Sequence, residues 1–223
     1  MRTRLLFRPG LGAAMALSLA ASAHAGSIDI GGGWRAAWDA SLDGYVQIIS
    51  NGVVGDAVFI QKSAEFTQGP DQFGFFPAIP ITFTQIEANA VHNIVIQDEI
   101  ITNSTGHDWT DFHFDIIDAG DAWFDPVATA NSGGAPPIGW TIDPFTQAAF
   151  SPDLMRLDVW DGVVPNGTQW YPGDGLSNGD LWISVVPHAE APFTVFTLKE
   201  TPTPEPTTLL TLAMGGLLLR RRR

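Results

Sequence analysis

Between residues 26 and 200 apolar and polar side chains alternate with a period of two, the spacing of a strand with one buried and one wet face. Tyr45 to Ser50, Ala57 to Gln61, Ile79 to Ile86, Asn93 to Thr102, Trp109 to Ile117, Leu154 to Trp160, Leu181 to Val186 and Phe193 to Leu198 carry this pattern. They are rich in β-branched and aromatic residues, so each predicts a strand. Asp43-Gly44, Asn51-Gly52, Asp161-Gly162, Asn166-Gly167 and Asn178-Gly179 fall between them and supply the positive φ angles that tight turns need. No helical periodicity competes with this pattern. The prediction is an all-β domain, an antiparallel β-sandwich with a β-barrel as alternative. Gln68 to Pro80 and Ala130 to Thr146 hold Pro and Gly at densities that central strands reject, and read as loops. Their aromatic residues, Phe73, Phe75, Phe76, Trp140 and Phe145, either fold back as core caps or form a binding surface on a rigid scaffold.

The pattern changes at both ends. Arg2, Arg4 and Arg8 precede an apolar run, Leu11 to Ala21, and a small-x-small site, Ala23-His24-Ala25. Residues 1–25 therefore predict a signal peptide cleaved after Ala25, leaving Gly26 as the new N-terminus. Residues 201–206 read as a Thr/Pro linker stiffened by its polyproline II preference. Residues 207–223 are an apolar run closed by Arg220, Arg221, Arg222 and Arg223. Thr207 to Leu219 would make about 20 Å of helix, against roughly 30 Å of bilayer hydrocarbon. Its leucines cover every face rather than one stripe, which favours lipid over a protein core. The four arginines can snorkel to the cytoplasmic headgroups, so the positive-inside rule leaves the domain of residues 26–200 outside.

Pro204-Glu205-Pro206, a short apolar helix and a terminal arginine block together resemble the tail of PEP-CTERM proteins. In that family the tail is a sorting signal on exported proteins, and an exosortase, a membrane-embedded cysteine transpeptidase, acts near the Pro-Glu-Pro. The resemblance implies a Gram-negative bacterium that makes extracellular polysaccharide. It also implies passage through the inner membrane, transient retention there by the C-terminal helix, and a final place at the cell surface, in the outer membrane or outside the cell. The segment Asn103 to Asp125 contains N-x-T-G-x-x-W-x-D-F-H, which looks like a phrase that recurs in the ectodomains of some members and carries no assigned activity. Its physical reading is a turn, Asn103 to Gly106, feeding a strand with Phe112, Phe114 and Ile116 toward the core and Asp111, His113 and Asp115 in solvent.

Charge narrows the partners. Seven of the eleven basic residues lie in the two tails, so residues 26–200 hold four Lys and Arg against twenty-three Asp and Glu, a net charge of 4 − 23 = −19. Such a surface repels nucleic-acid phosphates and anionic lipid, and leaves cations or neutral sugars as better partners. The chain has no cysteine, which excludes disulfides, thiol chemistry and thiolate metal sites. Asp118, Asp121 and Asp125 follow the Trp109 strand in a predicted loop and are the candidate oxygen ligands for Ca²⁺. Their spacing matches no calcium motif, so the default reading is no cofactor and a solubilising acidic run. His92 and His188 are isolated in sequence and read as structural. Gly-x-Ser-x-Gly, His-Glu-x-x-His, the phosphate-binding loop and Gly-x-Gly-x-x-Gly are all absent. The expectation is a non-catalytic, surface-sorted component of the cell surface or polysaccharide matrix. A carbohydrate- or calcium-binding module is the alternative, and a polysaccharide-active enzyme the more distant one.

Overall fold

The computed structural model describes residues 26–117 and 120–204. The predicted signal peptide with its cleavage site Ala23 and Ala25, the tail from Glu205 and Pro206 to Arg223, and Asp118 lie outside the described residues.

The described residues form thirteen strands: β1 Gly26–Gly31, β2 Trp34–Trp38, β3 Val46–Val54, β4 Ala57–Phe66, β5 Ile79–Gln85, β6 Asn93–Asn103, β7 Trp109–Ile117, β8 Ala122–Phe124, β9 Gln147–Phe150, β10 Arg156–Trp160, β11 Gln169–Trp170, β12 Leu181–Val185 and β13 Val195–Pro204. Among the described residues helix is limited to a 3₁₀ turn, Ala40–Leu42, and one short α-helix, α1 Pro126–Ala130. The strands form a seven-stranded sheet, β1-β2-β5-β13-β7-β10-β9, and a six-stranded sheet, β3-β4-β6-β12-β8 with β11 beside β6. Side chains from both sheets share one core, where Phe66 of β4 meets Phe112 of β7 edge-on at 5.7 Å and Phe112 meets Trp170 of β11 at 5.1 Å. Two mostly antiparallel sheets around one core are consistent with a β-sandwich.

Two expectations are corrected. β4 and β6 are parallel, because β5 lies between them in sequence but crosses to the other sheet, so the chain returns to β4 from the same end. Asn51-Gly52 is not the hairpin turn after Tyr45 to Ser50. It is a bulge inside β3, where Gly52 has φ +98, and the chain turns instead at Gly55-Asp56 between the paired Val54 and Ala57.

The Thr/Pro linker is the third correction. Thr201, Pro202, Thr203 and Pro204 continue β13 and pair with His113, Phe112, Asp111 and Trp109 of β7, so the domain runs to Pro204. Prolines enter a strand where no N–H is required of them. Pairing of β13 with β5 ends at Glu200↔Ile79, so Pro202 and Pro204 lie where β13 has β7 on one side and an open edge on the other.

The loop aromatics divide. Phe76, Trp140 and Phe145 are buried as core caps, whereas Phe73 and Phe75 are 65% and 71% exposed.

Candidate functional site

The N-x-T-G-x-x-W segment is a structural staple. Asn103 is fully buried, and its Nδ2 donates to His107 O at 2.9 Å and Val164 O at 3.0 Å while Oδ1 accepts from Thr105 N at 3.1 Å. Thr105 Oγ1 accepts from the indole Nε1 of buried Trp109 at 3.2 Å. Gly106, at φ +84, donates its N–H to Asn166 Oδ1 at 2.7 Å. Every polar group of the motif thus serves to lock the β6–β7 connection over the core, which explains the motif without a ligand.

The strand that follows carries the predicted outward face. Trp109, Phe112, Phe114 and Ile116 are buried, and Asp111, His113 and Asp115 alternate with them on the outer face of the seven-stranded sheet. His113 is not merely solvated, as its position in sequence suggested. Its Nδ1 lies 2.6 Å from Asp158 Oδ1 on β10 and its Nε2 2.7 Å from Thr203 Oγ1 on β13. Arg156 donates from Nε to Asp158 and from Nη1 to Asp115, so three neighbouring strands are clamped by side chains as well as by their backbone ladder. Burial raises the carboxyl of neighbouring Asp111 above the ordinary aspartate range, and the charge of Asp158 adds to this while His113 opposes it.

A hydroxyl, an imidazole and a carboxylate in this order have the connectivity of a nucleophile–base–acid relay. Acyl transfer also needs donors converging on a developing oxyanion. The guanidinium beside the relay is held by Asp158 and Asp115, and Thr203 is a ladder residue of β13. The geometry supports a cross-strand clamp and a hydrogen-bonding floor.

This floor lines a groove of about 450 Å³. Thr201, Pro202 and Thr203 of β13, with Lys199, His113, Asp115 and Arg156, form its base, and the Phe73–Phe76 turn forms its wall. The turn is fixed by Asp71, whose Oδ1 accepts from Phe73 N at 2.8 Å and Phe75 N at 2.9 Å while its own N–H donates to Phe75 O at 2.8 Å. Gly74 between the two rings has φ +86, which a side chain would strain. Two phenyl rings are therefore held outward by an ordered turn. Thr201 Oγ1 on the floor is shielded from solvent and has no hydrogen-bond partner among the described residues.

Of the candidate calcium ligands, Asp118 lies outside the described residues, and Asp121 and Asp125 are engaged elsewhere. Asp125 Oδ1 caps α1 by accepting from Val127 N at 3.0 Å and Ala128 N at 2.9 Å, and its Oδ2 takes the Ser184 hydroxyl at 3.3 Å. Asp121 Oδ2 lies 2.9 Å from His188 Nε2. Among the described residues no three His, Asp or Glu side chains converge as metal ligands. His92, against Asp56, and His188, which also meets Pro192 O at 2.8 Å, act as surface clasps. Thermal melts in millimolar Ca²⁺, Mg²⁺ and EDTA at about 0.15 M salt are expected to agree within about a degree, because exposed carboxylates attract ions only through screened solvent. A rise of several degrees with Ca²⁺ alone would restore the calcium reading.

The residues that the sequence pattern did not single out are the buried ion cluster. Lys62 of β4 and Glu99 of β6 reach inward from one sheet and Glu200 of β13 from the other, all with side chains at 0% exposure. Lys62 Nζ donates to Glu99 Oε1 and lies 2.5 Å from Glu200 Oε1. Burial, and then the charge of Glu200, push the Glu99 carboxyl up to about 8 even though Lys62 opposes the shift. Burial alone would lower the Lys62 ammonium, but the two glutamates outweigh it and hold it above its ordinary range. Two carboxyls and one ammonium thus share the core, and the single cation lies against both acids.

Comparison with known protein families, curated proteins and solved structures finds no match for this chain.

Proposed function

We propose that this is an exported, surface-sorted protein whose β-sandwich ectodomain is a non-catalytic component of the cell surface or of an extracellular polysaccharide matrix. The observation that carries this reading is the pair of terminal signals, a basic and apolar leader ending at Ala25 and the Pro204-Glu205-Pro206 tail closed by Arg220 to Arg223. An exosortase is the partner during sorting, and the inner membrane holds the C-terminal helix until processing. The course of β13 refines the reading, because the tripeptide begins on the last residue of the strand and abuts the folded domain. A cut upstream of Thr201 would strip Thr201 to Thr203 from β7.

Intact-mass measurement of the exported protein tests the proposal. The expected chain starts at Gly26 and ends at or shortly after Pro204. Retention of Arg223 in surface material from an exosortase-positive host would overturn the sorting signal.

A further inference from the structure

The groove on the outer face of the seven-stranded sheet has features that the role of a sorted surface component does not require. Phe73 and Phe75 expose two aromatic rings, and the Asp71 turn holds them in place, so no ordering of the loop is needed before a ligand stacks on them. An ordered turn that keeps two phenyl rings in water works against burial unless something covers them. Thr201 Oγ1 has no partner on the floor beneath them, which leaves a hydrogen bond for an occupant to complete.

Charge selects the occupant. The domain has four Lys and Arg. Lys62 is buried in the core and Arg35 is paired with Asp29 on the edge strands β1 and β2. The other two, Arg156 and Lys199, both line this groove. Arg156 is held by Asp115 and Asp158, whereas Lys199 makes no ion pair among the described residues. The one uncommitted cation of a strongly acidic domain therefore lies on the same floor as the unpartnered hydroxyl, beside two exposed rings.

We infer that this groove binds a carboxylated polysaccharide. The C–H face of a sugar ring covers Phe73 and Phe75, a uronate carboxylate pairs with Lys199, and a sugar hydroxyl meets Thr201 Oγ1 once rotation about its χ1 turns it out from its shielded position. A protein helix would match the rings but leave the lysine and the hydroxyl unanswered. A free carboxylate would match the lysine but leave the rings in water. Asp115, across the ladder from Lys199, also lines the floor and acts against a bound carboxylate, whereas repulsion from the acidic surface beyond the groove is screened over a Debye length of about 8 Å at physiological salt.

Affinity gel electrophoresis and calorimetry of the exported protein at about 0.15 M salt test this, with polygalacturonate as the carboxylated probe and dextran as the uncharged one. Polygalacturonate is expected to retard the protein and dextran to leave it unretarded. Phe75→Ala and Lys199→Gln are each expected to weaken polygalacturonate binding about tenfold or more. Phe73→Ser is a second probe of the wall, and Val54→Ala, an exposed position in the other sheet, is expected to bind like the parent. All these side chains except that of Lys199 are strongly exposed, so melting temperatures are expected to stay within a few degrees. No retardation by polygalacturonate, or retardation that survives both Phe75→Ala and Lys199→Gln, would overturn the inference. Equal retardation by dextran would overturn the choice of a carboxylated ligand. The outcome is independent of the processing test, which reads the termini and not the groove.

Discussion

Lys62→Met is expected to destabilise the protein by about 3 to 5 kcal/mol, enough to leave a marginal domain largely unfolded, because it strands Glu99 and Glu200 in the core without their cation. Replacing the whole cluster, with Lys62→Met, Glu99→Leu and Glu200→Leu together, is expected to restore stability to the parent level or above it. The desolvation of these three ionisable groups then disappears along with their mutual attraction. The pair of results separates an ion cluster from a packing defect, since an oversized methionine would hurt both variants alike. The acidity of Glu99 adds a signature in pH. Its carboxyl is pushed up from the ordinary 4.5 to about 8 by burial and by Glu200. Below about pH 4.5 both folded and unfolded chains hold this proton. Between there and about pH 8 only the folded chain does, so stability from this group is full at acid pH and is lost as pH rises through that window. Glu99→Gln carries no such proton, and the difference between parent and variant denaturant melts is expected to decline from pH 5 to pH 8 by a few kcal/mol. A flat difference would mean that the cluster does not hold a buried proton.

The cluster was partly legible. In β4 Lys62 has the same parity as Val58, Ile60, Ala64 and Phe66, so period two alone places an ammonium on the buried face. Glu99 was hidden by a bulge. Gln97 is an extra residue between the pairs Ile60↔Ile96 and Gln61↔Asp98, and it shifts the inward parity from Ile94 and Ile96 to Glu99, Ile101 and Asn103. Glu200 shares parity with Phe196 and Leu198, but the Thr-Pro run after it suggested a linker, and a proline pattern is silent about whether the edge it faces is paired. The same silence hid the groove floor, because Thr201 and Thr203 gain a role only once β13 lies beside β7. The central strands were legible because burial on one face leaves a strong alternation. Short β8, β9 and β11 hold too few residues to display a period, and β1 and β2 are joined by a glycine run that reads as loop.

Phe114→Ala is the second large effect, about 3 to 5 kcal/mol, measured by denaturant melt. The ring is at 0% exposure and stands at the middle of the aromatic core, 5.0 Å from Phe112, 5.5 Å from Trp140 and 6.2 Å from Trp170 between ring centroids. These rings come from a strand, a capping loop and the opposite sheet. Their backbones are fixed by separate ladders, so the cavity left by the missing phenyl cannot close by a local shift, and the cost falls in the upper part of the range for such truncations. The neighbouring residue on the other face gives the contrast. His113→Ala removes hydrogen bonds to Asp158 and Thr203 at a partly buried position, and is expected to cost about 0.5 to 1.5 kcal/mol, more than a solvated side chain and well below the core truncation. The ordering tests the register of β7 directly. A one-residue slip would place His113 in the core and Phe114 on the groove face, and the two costs would then exchange.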